Sequence, residues 1–237
     1  VTPPTRGRGR ATPLDAARGP ARDVLCIDAV AGCRLIEPDS VDMIFTDPPY
    51  NRDSLPLYET VAICAARVLM PGKFLLAMSG GLYQDEIMAA MSRHLTYYWT
   101  FHVYLSGSAT GEVHPGGNHK PIITRVKPIH AFVKGWGEPR TVIYDPFSGD
   151  GNDKRFHHWG QDAKSARYYI DCFTNEGDLV LDPFCGGGTT PLVCQALKRQ
   201  YIAFDSDPEA IETTRARLRN PLFAPEANGQ LRMEFVK

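Results

Sequence analysis

The stretch "LVLDPFCGGGTTPLVCQALKRQYIAFDSDP", Leu179–Pro208, constrains the fold more than any other part of the chain. A short apolar run ends in Asp182, three consecutive glycines follow, and an amphipathic segment then leads to a second apolar run ending in Asp205. That is the pattern of strand, permissive turn, helix and strand. Glycines let backbone approach a ligand closely, and the helix after them presents free N–H groups. Thr189 or Thr190 is the expected N-cap, and Pro191 is tolerable in the first helical turn.

A second stretch imitates it. "YDPFSGDGNDK", Tyr144–Lys154, places its acid 37 residues before Asp182. The residues after Gly151 are Asn, Asp, Lys, Arg, Phe, His, His and Trp, with no helical apolar period. The upstream stretch is therefore expected to be a connecting turn leading to His158 and Gln161, and Asp182–Thr190 the cofactor loop. A dinucleotide fingerprint would need glycine three residues beyond Gly188, where Pro191 stands. Asp205 suits the vicinal hydroxyls of a ribose. A helix N-terminal acid would be its plainer role, but Asp207, next to Pro208, fits that role better. A nucleoside-bearing cofactor without a pyrophosphate, such as S-adenosyl-L-methionine, fits this strand end, with Asp182 near the positive end of the ligand.

Elsewhere strands alternate with helices. Strand patterns are read at "DVLCIDA", Val41–Asp47, Lys73–Ser79, Tyr97–Leu105 and "IHAFVKG". Helical patterns are read after Ile27, over Leu57–Met70, around Leu82–Leu95, Ala163–Phe173, 189–199 and 208–219. The expected fold class is α/β, a doubly wound and mostly parallel sheet. Residues 1–20 are rich in Pro, Gly and Arg and read as a disordered arm, with Arg6, Arg8 and Arg10 as its basic residues. Residues 21–237 read as one domain.

Composition excludes several classes. No apolar run approaches a membrane span, and no secretory signal core stands near the first residues. The six cysteines are scattered without a C-x-x-C pair, which points to buried free thiols in a reducing cytoplasm rather than a disulfide frame or a zinc site. Net charge is −1, yet His114–Arg167 carries nine Lys/Arg against five Asp/Glu. Such a segment could face phosphates, though an ordinary solvated loop is the better explanation of charge alone.

"IFTDPPY" sets Asp47-Pro48-Pro49-Tyr50 at another strand end. With "DVLCIDA" before it and "GDLVLDPFCGGGTT" and "YIAFDSDPEAIETTRARL" after it, the chain resembles the S-adenosylmethionine-dependent amino-methyltransferases of DNA. The order, catalytic motif before cofactor motif, is similar to the β-type arrangement. The resemblance covers Asp23–Tyr50 and His157–Leu218 closely. It implies a Rossmann-like class I methyltransferase fold with a small inserted recognition segment. It also implies that Asp47, Pro48, Pro49 and Tyr50 hold the target base. Phe184, Gly186 and Gly188 would bind the cofactor, together with Cys185, Thr189 and Thr190 of the same turn. Asp205 would grip the ribose, and Asp28 would lie near the cofactor adenine. Where many members carry His-Pro-Thr-Gln-Lys-Pro, this chain has His158-Trp159-Gly160-Gln161-Asp162-Ala163, which keeps the His and Gln and loses the Lys-Pro.

The implied chemistry suits those residue types. The amine of adenine or cytosine is a poor nucleophile, because its lone pair is delocalised into the ring. Asp47 can accept one amine hydrogen and the Pro48 carbonyl the other, which aims the lone pair at a sulfonium methyl. No covalent intermediate is needed, and the chain lacks the Pro-Cys dipeptide of enzymes that methylate a cytosine ring carbon. A base within a duplex must be flipped out, and Tyr50 offers it a stacking face. The DPPY form leans toward adenine. Recognition is expected to fall to 106–154, with Lys120, Arg125, Lys127 and Arg140 on phosphates and Asn118 or His119 at base edges. That segment is short, so a second subunit, as in a homodimer, could complete it. The expected partner is double-stranded DNA, in a restriction–modification, bacteriophage or stand-alone setting. The alternatives are action on cytosine or RNA, or a DNA-binding relative without turnover.

Overall fold

Runs that are apolar along their whole length become central strands, because a parallel sheet with helices on both faces buries both sides of each strand. The computed structural model describes residues 21–105, 111–113, 122–124, 126–149 and 163–220. The expected arm, His158–Asp162 with Gln161, and Asn118, His119, Lys120 and Arg125 lie outside them.

In chain order the elements are β1 (Arg22–Cys26), α1 (Ala29–Leu35), β2 (Val41–Thr46), α2 (Leu55–Val68), β3 (Leu69–Met78), α3 (Gln84–Ser92) and β4 (Thr96–Leu105). Then come β5 (Gly111–Val113), β6 (Ile122–Thr124), β7 (Val126–Val133), β8 (Phe147–Gly149), α4 (Ala163–Phe173), β9 (Leu179–Asp182), α5 (Thr189–Ala196), β10 (Gln200–Asp205) and α6 (Pro208–Arg219). Eight strands form one sheet in the order β1-β10-β9-β2-β3-β7-β4-β8. Every described pairing in it is parallel except those of β7, which runs antiparallel to both β3 and β4. The expected α/β, doubly wound, mostly parallel class is the observed one.

Alternation along the strands feeds two cores. Met43 and Phe45 of β2 face one side, with Tyr169 and Ile170 of α4 and Val193 and Cys194 of α5. Ile44 faces the other, with Val61, Ala65 and Val68 of α2, Met91 of α3 and Phe204 of β10.

Four expectations need correction. The helix expected over Leu57–Met70 stops at Val68, and the strand expected from Lys73 already begins at Leu69, which pairs with Val41, with Gly72 at φ +80° inside it. The segment 106–154 is not an insertion throughout, since Ile129–Val133 of β7 are buried in the main sheet; among its described residues β5 and β6 form a separate pair. Tyr144–Gly149 is not merely a turn. Phe147–Gly149 form the edge strand β8 against β4, and Asp145 accepts from the His102 backbone N–H at 2.8 Å and Trp99 Nε1 at 3.0 Å. Finally, Cys33 and Cys64 are joined in a disulfide between α1 and α2. The two helices pack side by side, a proximity that a spacing of 31 residues conceals. Cys26, Cys172, Cys185 and Cys194 are free thiols.

No helix among the described residues is long and apolar enough to cross a membrane.

Candidate active site

The strand order reverses between β9 and β2. From β9 the chain crosses through α5 to β10 on one side, and from β2 through α2 to β3 on the other. Such a reversal opens a crevice at the carboxyl ends of the strands. A cavity of about 600 Å³ lies there, lined by the residues that follow β1, β2, β9 and β10. That volume suits a nucleoside-sized ligand.

One rim is the turn after β2. Asp47, Pro48, Pro49 and Tyr50 all line the cavity. Asp47 Oδ1 accepts the Tyr50 hydroxyl, and Asp47 Oδ2 accepts Lys127 Nζ at 2.8 Å. The Tyr50 ring is 38% exposed at the mouth while its hydroxyl turns inward. Burial of that end and the Asp47 charge push the phenol pKa well above its ordinary value. Gly80 lies against the ring, since a Cβ there would sit 3.2 Å from the Tyr50 Cβ.

The other rim is the glycine turn after β9. Phe184, Cys185, Gly186, Gly187 and Thr189 line the cavity. Asp205 lines it too; its Oδ2 accepts the Gly186 N–H at 2.9 Å and its Oδ1 the Asp207 N–H at 2.9 Å. Asp28 lines it from the end of β1 and caps α1 by accepting the Ala31 N–H at 3.0 Å. Asp207 caps α6, as its position before Pro208 predicts.

Three expected residues stand behind the wall. Gly188, at φ +82°, is the N-cap of α5, and no threonine side chain caps that helix. The left-handed turn does the capping residue's work of redirecting the chain, and a Cβ at Gly188 would lie 2.6 Å from Thr214 Cγ2. Thr214 in turn donates to the Gly186 carbonyl at 2.8 Å, tying the turn to α6. Asp182 is 1% exposed and accepts from Thr46 Oγ1 at 2.9 Å and from the Phe184 N–H at 3.1 Å. Burial pushes its carboxyl up to about 7, against the easing effect of Thr190, Phe184 and Thr46. Thr190 Oγ1 and Asp182 Oδ2 are buried, each without a hydrogen bond of ordinary geometry among the described residues.

Burial also pushes the Cys185 thiol up, which disfavours the nucleophilic thiolate. Two basic residues expected on phosphates are engaged elsewhere. Arg140 donates to the Asp171 carbonyl on α4 at 2.9 Å, and Lys127 lies in the cavity wall on Asp47. Asn51, Leu57, Thr60 and Ser206 also line it, and no motif in the sequence marked them.

The donor set fits S-adenosylmethionine. Asp28, Asp47 and Asp205 set three carboxylates against the single Lys127 among the lining residues, alongside the apolar Val30, Leu57 and Phe184. Acids accept ribose hydroxyls and amines and favour a sulfonium, whereas a pyrophosphate would meet repulsion.

Known proteins carry the same frame. The complex of M1.HpyAVI with S-adenosylmethionine superposes with a TM-score of 0.68 at 21% identity, covering 84% of this chain and 99% of that one. The fold is that of the class I methyltransferases. A family model for DNA methylase matches residues 154–216. The type II methyltransferase M.HpaI of Haemophilus parainfluenzae is 28% identical over 235 residues, covering 82% of this chain and 73% of its own length. The DNA adenine methyltransferase YhdJ of Escherichia coli (strain K12) is 25% identical over 249 residues, covering 84% and 83%. Over residues 154–216 the chain is thus similar to the N6/N4 DNA methylase family, and over most of its length to these two methyltransferases.

Proposed function

We propose that the chain methylates the N6 amine of adenine in double-stranded DNA. One observation carries the reading: Asp47 and Tyr50 face the glycine turn across a single cavity at the reversal of strand order.

In this reading Asp47 accepts one hydrogen of the flipped base's amine and the Pro48 carbonyl accepts the other. Each carboxylate oxygen carries two lone pairs, so Asp47 can do this while Tyr50 and Lys127 remain bound to it. The Tyr50 ring stacks the base, and the stiff Pro48-Pro49 backbone fixes both acceptors. The cofactor supplies a sulfonium methyl in line with the amine lone pair. Asp205 and Asp28 hold its hydroxyls and adenine, while Phe184, Cys185, Gly186 and Thr189 wall it. Asp182, Gly188 and Thr190 set the turn from behind, and Gln161 joins the set by its place in the sequence. Positioning and a fixed electrostatic field do the work.

Recognition of flanking bases falls to 106–154 outside the core strand β7, and a second copy of the chain supplies the rest of the DNA contact. Asp47 in a DPPY motif and the adenine activity named for YhdJ support adenine over cytosine. In this reading the enzyme works in the cytoplasm, in a restriction–modification setting, and its likeness to a type II methyltransferase supports that.

The test compares polymers. Methyl-labelled cofactor is incubated with duplex DNA, single-stranded DNA and total RNA, and label should enter duplex DNA fastest. Label confined to RNA would overturn the substrate assignment. Sedimentation with a short duplex bearing the site should give two chains per duplex.

A further inference from the structure

Lys127 is a cation where the transfer chemistry asks for none. It stands on β7 opposite Val103, and its side chain is 12% exposed against 9% for Asp47. A buried ion pair costs desolvation that its attraction does not always repay, so its presence in a cavity wall calls for a use. The position suggests one. Nζ lies 2.8 Å from Asp47 Oδ2 and 5.2 Å from the centroid of the Tyr50 ring, over the face on which a base would stack. The ammonium therefore borders the seat assigned to the target base, and the inference rests on that assignment.

We infer that Lys127 reads the target base: its ammonium donates to the ring nitrogen beside the exocyclic amine, while Asp47 accepts the amine hydrogen. Carboxylate oxygen and ammonium side by side form an acceptor–donor pair. Adenine presents the complement, an amine flanked by the acceptors N1 and N7. Cytosine presents it as well, with its amine beside N3. Guanine and thymine place a carbonyl oxygen where the amine would be, which turns a lone pair toward the carboxylate. On the Watson–Crick edge their ring N–H would face the ammonium, and on the N7 edge of guanine the carbonyl oxygen alone makes the mismatch. The pair thus admits amino bases and rejects keto bases at the seat itself, independently of flanking sequence. Without a base, the same ammonium keeps Asp47 oriented and covers the Tyr50 face, so the entering base exchanges one partner of Lys127 for another.

The experiment uses duplexes bearing the enzyme's own site, with the target adenine replaced by 1-deaza-, 7-deaza- or 3-deazaadenine, and compares wild type with Lys127→Met. For wild type, loss of N1 or of N7 should lower kcat/KM about 10- to 100-fold beyond the 3-deaza control, as expected for a hydrogen bond from a charged donor. Lys127→Met should lose a similar factor on adenine and then lose nothing further on the sensitive deaza base. Its cofactor affinity by calorimetry should match wild type. Equal wild-type rates on all three analogues would overturn the inference. So would a Lys127→Met loss that multiplies with the deaza loss, which is the behaviour of a purely structural ion pair. Should Lys127→Met fail to fold, the wild-type deaza series and Lys127→Arg, which keeps a charged donor, decide the matter. Failure of wild type to methylate the unmodified duplex would instead sink the base-seat assignment. Label in cytosine moves the same test to 3-deazacytosine.

Discussion

Thr46 donates its hydroxyl to Asp182 Oδ1 at 2.9 Å, between the paired strands β2 and β9. Asp47 follows the first residue and the glycine turn follows the second. One buried hydrogen bond therefore sets the distance between the corner that would hold the amine and the loop that would hold the methyl donor.

Removing that link should misalign the two rims. Thr46→Val keeps the shape and deletes the donor, leaving Asp182 Oδ1 with only the Phe184 N–H. The expected cost is about 1–3 kcal/mol in unfolding free energy. The rate should fall more than cofactor affinity does, since each rim is intact and only their spacing has changed. Denaturant melts and single-turnover rates check this.

Asp182 should also shape stability against pH. Its carboxyl is pushed up to about 7 by burial, while an unfolded Asp titrates near ~4. Between those values the unfolded chain has lost a proton that the folded chain keeps. Stability from this group therefore falls as pH rises from about 4 to about 7 and is level above. His130 has the opposite sign. Burial, and secondarily His102, lowers it to about 4 from 6.5, so in that window the unfolded state binds the extra proton and stability rises with pH. The signature of Asp182 is thus the difference between wild type and Asp182→Asn, which should grow in favour of the variant from pH 4 to 7.

Gly188→Ala should damage the glycine turn after β9. The new Cβ meets Thr214 at 2.6 Å, and φ +82° strains any L side chain. A loss of about 2 kcal/mol or more is expected, with weaker cofactor binding by calorimetry.

Tyr50 separates stacking from hydrogen bonding. Tyr50→Phe keeps the ring over the seat and frees Asp47 Oδ1, so activity should stay within about tenfold of wild type. Tyr50→Ala removes a stack worth ~1–3 kcal/mol and should lose activity strongly on duplex DNA. Duplexes with 2-aminopurine at the target should brighten with wild type and Tyr50→Phe and not with Tyr50→Ala.

Much of this was legible in the sequence because the signals are local. The strand, glycine turn and helix of 179–196 are contiguous, as is the DPPY turn after β2, and strand-end acids announce themselves at Asp28 and Asp205. What escaped is non-local. Lys127 reads as a surface cation until antiparallel pairing carries β7 beside β3 and turns the lysine onto Asp47. Thr46 is an ordinary strand residue until β9 supplies Asp182. Cys33 and Cys64 share no motif, only adjacent helices. The imitation turn at Asp145 differs in sequence from the turn after β9 by the missing helical period, but its role as edge strand β8 depends on β4.

The most direct measurement is the identity of the methylated nucleoside. Wild type and Asp47→Ala are incubated with labelled S-adenosylmethionine and unmethylated genomic DNA, and the digest is resolved by mass. The account predicts N6-methyladenine from wild type and none from Asp47→Ala, with cofactor binding retained in both. N4-methylcytosine would contradict the adenine assignment, and undiminished transfer by Asp47→Ala would contradict the site itself.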